Sequence, residues 1–213
     1  MFNQFSNPQY WLSLLYSIPA VLLALSFHEY AHAWAAYRCG DPTARNLGRM
    51  SFDPLKHLDP VGTICLLFFR FGWARPVPIN PRNFRRPRRD EILVSLAGII
   101  MNFILSFIAY GVLDVVVRVF RWNNVVFENI MWPIITLNIT LGIFNLIPIP
   151  PLDGFHVVEA VFPNQARRFG MAVGRYGMVI LVLLLVSGVV GWVLNGFTNW
   201  LLSVYAAFWS FAT

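Results

Sequence analysis

Ser26-Phe27-His28-Glu29-Tyr30-Ala31-His32-Ala33-Trp34-Ala35-Ala36 is the stretch on which the reading of this chain turns. It lies in an apolar run from about residue 10 to residue 37, and residues 1–27 carry no charged side chain. A run of that length predicts a membrane-spanning helix, which needs about 20 apolar residues. Ionisable groups inside such a span are costly to bury and by default mark a functional site. On a helix, His28 and His32 stand one turn apart on one face, with Glu29 beside them. Two imidazoles so placed can hold one metal ion while the carboxylate reaches a water that the metal activates. Two other readings accommodate the triplet: histidines satisfied in a helix core, and a proton or metal relay of a transporter.

Composition agrees with the span. Hydrophobic residues make up 57% of the 213 and charged residues 12%, where a soluble domain has about 25% charged. Mean hydropathy is +0.59. These values predict an all-α integral membrane protein, a single polytopic domain over residues 1–213 with room for about four spans. The net charge of +6 raises the possibility of nucleic acid, but its placement argues against such a partner. Eleven of the sixteen Lys and Arg fall between Arg38 and Arg89, three more are Arg167, Arg168 and Arg175, and only Arg118 and Arg121 lie elsewhere. Clustering in alternate loops is the positive-inside pattern. It predicts an extracytoplasmic N-terminus, with residues 40–90 and 154–175 on the cytoplasmic side against lipid headgroups. Cys39 and Cys65 then sit on the reducing side. No Lys or Arg precedes the first apolar run, so the basic region of a signal peptide is missing and the first span is expected to be retained.

Spans are expected at about 10–37, 92–117, 129–147 and 176–194, with a further apolar segment at 197–211 that is short for a full crossing. Between the first two lies a long membrane-associated loop, residues 42–90. Within it, residues 61–73 are apolar but too short to span, and read as re-entrant or interfacial. Ala74-Arg75-Pro76-Val77-Pro78-Ile79-Asn80-Pro81 alternates proline with other residues, which forbids helix and favours extended backbone. Such a segment can offer one edge, at Val77 and Ile79, for backbone pairing with an unwound peptide.

A hydrolytic zinc site needs three protein ligands and an open position. After His28 and His32, the candidates for the third are Asp153, His156, His57, Asp53, Asp59 and Glu159. Asp153 leads, because it follows Asn145-Leu146-Ile147-Pro148-Ile149-Pro150-Pro151-Leu152 at the end of the third span, and Gly154 frees the backbone at that corner. An N-cap for the helix that starts near residue 155 is the competing role for Asp153. His156 is second in line, and His57 reads as an ordinary loop histidine.

With those residues in view, the chain resembles the site-2 protease family of intramembrane zinc metalloproteases, in its compact form without PDZ or CBS domains. The resemblance rests on His28-Glu29-Tyr30-Ala31-His32, on Asn145-x-x-Pro148-x-Pro150-Pro151-Leu152-Asp153-Gly154, and on Gly98-x-x-x-Asn102. Residues 48–63 and 72–81 also resemble the loop of compact bacterial and archaeal members. Proline often follows the glycine of the second-helix motif in the family; here Ile99 does. The resemblance implies one zinc held by His28, His32 and Asp153, Glu29 as the catalytic carboxylate, and Asn102 and Asn145 as polar helpers near substrate and oxyanion. It also implies a membrane-anchored protein substrate and a prokaryotic cell membrane. A polytopic cation or proton transporter, or a catalytically silent relative that binds membrane proteins, are the alternatives.

Overall fold

The computed structural model describes residues 7–62, 74–165, 170, 174 and 176–212. The first helix, α1, runs from Pro8 to Cys39. It starts where the Asn7 side chain accepts from the Gln9 N–H, and ends at Gly40, whose φ is 112°. Pro19 sits inside it. After Gly40 comes a single turn, α2 (Thr43–Asn46), and the next long helix is α3 (Pro87–Asp114). Then follow α4 (Val125–Asn145), α5 (Asp153–Val161), α6 (Gly177–Val186) and α7 (Val189–Ala212). Among the described residues there is no strand; Leu58 and Ala74 form one isolated antiparallel bridge. Most of the apolar stretch at 61–73 lies outside the described residues.

Among the described residues, three helices are long and apolar enough to cross a membrane: α1, α3 continued to Val119, and α4. The apolar stretch expected as one span at 176–194 is divided instead. Helices α6 and α7 meet at a bend of 72° and count as one broken span or a re-entrant pair. Gly188 supplies the break with φ of 79°, a left-handed conformation that only glycine adopts at little cost. The segment at 197–211 is part of continuous helix α7. Its Tyr205 is buried against α3, where the hydroxyl meets Ser106 Oγ at 3.0 Å.

Helix α1 packs on α3 and α4, α3 packs on α4 and α5, and α7 lies against α4 and α3. The buried face of α1 explains how it comes so close. Ala20, Ala24, His28, Ala31, His32, Ala35 and Cys39 are all buried, and all but the two histidines are small. Small residues at three- and four-residue spacing let helix backbones approach in a membrane, where no hydrophobic force drives association. Leu12, Leu15, Ile18, Leu23 and Trp34 point outward, as lipid-facing residues do. The two histidines therefore sit on the packed side of the helix, between α1 and α3.

Candidate metal centre

His28 and His32 are 6% exposed and Glu29 9%. The histidines' Nε2 atoms are 2.9 Å apart. Asp153 enters from the start of α5, and its Oδ2 lies 3.2 Å from each of them. The Pro-rich turn after α4 delivers it there: α4 stops at Asn145, and α5 begins at Asp153 itself, with Leu152 rather than Asp153 at the cap position. The Asp153 side chain is thus not spent on capping its own helix.

The chemistry of this trio fits a metal. His32 Nδ1 stands 2.7 Å from the Val94 carbonyl. A carbonyl only accepts, so Nδ1 carries the proton and Nε2 is the ring nitrogen left to face Asp153 and His28. His28 Nε2, His32 Nε2 and Asp153 Oδ2, three atoms able to serve as ligands, thus converge on one another as a bound cation requires. A tetrahedral ion with bonds of about 2.0–2.1 Å sets its ligand atoms about 3.3 Å apart. The spacings of 3.2, 3.2 and 2.9 Å come close to that. The residues present fit zinc.

Two features of α3 serve the trio. A Cβ on Gly98 would lie 2.5 Å from His32 Nε2 and 2.6 Å from His28 Cε1, so α3 can lean on the imidazoles only with glycine there. One turn on, Asn102 is fully buried, and its Nδ2 stands 3.3 Å from His28 Nδ1. Its Oδ1 has no partner in that orientation. Half a turn of the amide brings Oδ1 to the ring, where it accepts the Nδ1–H of His28. The orphaned acceptor is then satisfied, and the second imidazole, like the first, has its Nε2 left to face the trio. Such outer partners orient metal-binding histidines generally.

Glu29 has its own support. Its Oε2 accepts the backbone N–H of Val77 at 2.7 Å. Val77 is buried, and Ile79 packs on the cluster of Ala35, Ala36, Cys39, Phe84 and Val94. The segment is held at both ends. Arg49 donates to the carbonyls of Arg75 and Pro76 at 2.7 and 3.2 Å. The Asn80 N–H donates to Asp41 Oδ2 at 2.7 Å. Much of the hydrogen-bonding capacity that an added strand would use at Val77 is therefore already committed.

Asp41, directly after the Gly40 that ends α1, is a further buried acid, fully enclosed. Besides Asn80 it accepts from the Thr43 N–H and hydroxyl and from Asn83 Nδ2. Burial alone pushes this carboxyl up, but those hydrogen bonds outweigh it and hold the group below its ordinary value. An acid directly after a Gly stop, with Asn at 80 and 83, is the signal that was there to be read.

The other candidates lie elsewhere. Asn145 donates from Nδ2 to the Leu141 carbonyl of its own helix at 3.0 Å, not to the trio. His57 is fully buried, not an ordinary exposed loop histidine; its Nε2 donates to the Ser51 carbonyl at 2.7 Å. Asp53 caps the short turn at Pro54–Lys56, and Asp59 accepts from the Gly62 N–H. His156 and Glu159 are brought together with Glu91 in a separate, more exposed group.

Comparison with known proteins agrees with this geometry. The family model for peptidase family M50 matches residues 16–121 and 116–186, which takes in both the histidine pair and Asp153. "Putative zinc metalloprotease YwhC" of Bacillus subtilis is 40% identical over 193 residues, covering 87% of each chain. "Putative zinc metalloprotease Rip2" of Mycolicibacterium smegmatis is 29% identical, over 78% of this chain and 64% of its own length. "Zinc metalloprotease MJ0392" of Methanocaldococcus jannaschii is 22% identical, over 80% of this chain and 43% of its own. No solved structure matches. The chain belongs to peptidase family M50, the site-2 protease family, and is a zinc-dependent protease of the membrane.

Proposed function

We propose that His28, His32 and Asp153 hold the zinc, one ion per chain, that Glu29 is the base, and that the reaction is hydrolysis of peptide bonds in or near the transmembrane segments of membrane-anchored proteins. The observation that carries this reading is the convergence of the three ligand atoms beside a carboxylate on a buried helix face. Zinc in this place supplies a Lewis acid and an activated water. Glu29 takes the proton of the attacking water and delivers it to the leaving amine. With Oε2 held by Val77 N–H, the carboxylate plane is fixed and Oε1 is left for the proton. Val94 and Asn102 keep the two imidazoles turned toward the ion; for Asn102 this positioning role replaces the expected one near the oxyanion.

Substrate must unwind to expose a peptide bond, and its freed backbone groups need partners at membrane depth. Pairing beside Val77 and Ile79 supplies them through backbone groups other than the Val77 N–H, which stays on Glu29. The clustering of Lys and Arg in the basic loops supports an orientation with residues 40–90 and 154–175, and with them the mouth of the site, on the cytoplasmic side and the N-terminus outside.

The test is purified protein in lipid vesicles with a model transmembrane peptide. Glu29→Gln is expected to keep zinc and lose cleavage by about 10²–10⁴-fold, the contribution of a general base. Asp153→Ala is expected to lose zinc and cleavage together. Full zinc occupancy in Asp153→Ala would remove Asp153 from the ligand set. Labelling of single cysteines placed at 82–89 from outside the cell would reverse the orientation.

A further inference from the structure

At the end of α3 remote from the histidines the helix changes its winding. Val115–Val119 form a π-helical turn, a rare conformation that occurs frequently at functional sites. Just beyond, Arg121 adopts φ of 51°, in the left-handed region that non-glycine residues seldom visit. Between this turn and the start of α4 lies a cavity of about 210 Å³ lined by Tyr110, Asp114, Arg118, Glu128 and Trp132, among others.

Asp114 is the unusual member. Its side chain is 5% exposed, and its Oδ1 accepts from Arg118 Nε at 2.9 Å. The continuous helix runs on past it to Val119. Burying a carboxylate in a membrane helix is costly even with a partner, and an ionisable residue kept there points to function. The cavity carries two carboxylates and one guanidinium, a net negative charge. The rings of Tyr110 and Trp132 stand edge to face, 6.3 Å apart at 83°. Carboxylates between aromatic walls are the chemistry that recognises an organic cation. At 210 Å³ the space falls below the roughly 300 Å³ at which drug-sized sites begin, so the occupant is a small group and not a peptide. Asp114 lies sixteen residues beyond Gly98, about 24 Å along the helix axis. That puts the cavity near the membrane boundary opposite the one closer to the metal centre.

We propose that this cavity binds the ethanolamine headgroup of a phospholipid from that leaflet. Glu128 and Asp114 accept from the ammonium, Tyr110 and Trp132 flank it, and the terminal nitrogens of Arg118, a half-exposed side chain whose Nε is used by Asp114, donate to the phosphate. The lipid is the source because the cavity opens at the end of membrane-spanning helices. This site is separate from the metal centre and does not depend on the reading of the protease chemistry.

Native mass spectrometry of the detergent-purified, zinc-loaded protein tests it, with phosphatidylethanolamine and phosphatidylglycerol of matched chains as probes. One phosphatidylethanolamine per chain is expected, held about tenfold more tightly than phosphatidylglycerol, with that preference lost in Glu128→Gln and in Trp132→Leu. Both variants are expected to keep wild-type zinc content, which separates loss of the lipid site from misfolding. Soluble phosphoethanolamine is expected to bind more weakly at the same Glu128-dependent site. Equal binding of the two lipids by wild type, or an unchanged preference in both variants, would overturn the proposal.

Discussion

The backbone N–H of Val77 donates to Oε2 of Glu29 over 2.7 Å, joining positions 48 residues apart. The loop thereby holds the carboxylate proposed as the base. Val77→Pro deletes this donor, while Val77→Ala keeps it. We expect Val77→Pro to slow peptide cleavage by about a hundredfold, the cost of misplacing a reacting group by about 1 Å, with zinc content unchanged. Val77→Ala should stay within a few-fold of wild type, since only the side chain is trimmed. Equal rates for the two variants would mean that the N–H does not position Glu29.

Gly98 bears on the metal itself. Any side chain there meets both imidazoles, at 2.5 Å for His32 Nε2, and these are packed ring atoms that cannot swing away. Gly98→Ala should force α3 off α1 and lower zinc occupancy at limiting zinc, measured by chelator competition, even though no ligand is changed.

Asn102 makes a different demand. If its amide oxygen accepts from His28, then Asn102→Leu should weaken zinc binding by about 10–100-fold, as loss of an outer partner does. Asn102→Asp, which keeps an acceptor in the same place, should bind zinc more tightly than Asn102→Leu. The nitrogen resonances of a ring-labelled His28 would show Nδ1 protonated in wild type. A role confined to the oxyanion would leave zinc affinity untouched in both variants.

What could be read from the sequence was local. Apolar runs without charge mark α1, α3 and α4, since the bilayer permits few alternatives to a helix. His28 and His32 declare themselves by spacing alone, and Asp153 by the prolines that end α4. What could not be read depends on segments meeting across the fold. Nothing in the residues near Val94 announces a carbonyl aimed at His32, 62 positions away. Val77 looked available for a substrate because proline patterning reports extended backbone but not what that backbone already bonds. The break at Gly188 was hidden in a uniformly apolar stretch, where a single glycine carries little weight. The Asp114 cavity is likewise invisible in the sequence, since only the fold brings Tyr110, Asp114 and Arg118 of one helix beside Glu128 and Trp132 of the next.

Asp41 yields the last prediction, on pH. Four donors from residues 43, 80 and 83 fasten it, and with it the segment that reaches Glu29. These bonds hold its carboxyl below the ordinary value in the folded protein. The group is more acidic folded than unfolded, so the unfolded chain takes up its proton first as pH falls. The stabilisation is complete above the unfolded value, near 3.9, and is lost as pH drops through the lower, folded one. Asp41→Asn accepts through one oxygen and does not titrate, so it should be less stable at pH 7. Asp41→Ala leaves buried donors without a partner and should cost about 2–4 kcal/mol. Thermal unfolding of the detergent-solubilised protein measures both. The gap in Tm between wild type and Asp41→Asn should be constant from pH 7 to about 5 and narrow below about pH 4. A gap that does not change with pH would mean that the Asp41 charge contributes nothing to holding the loop.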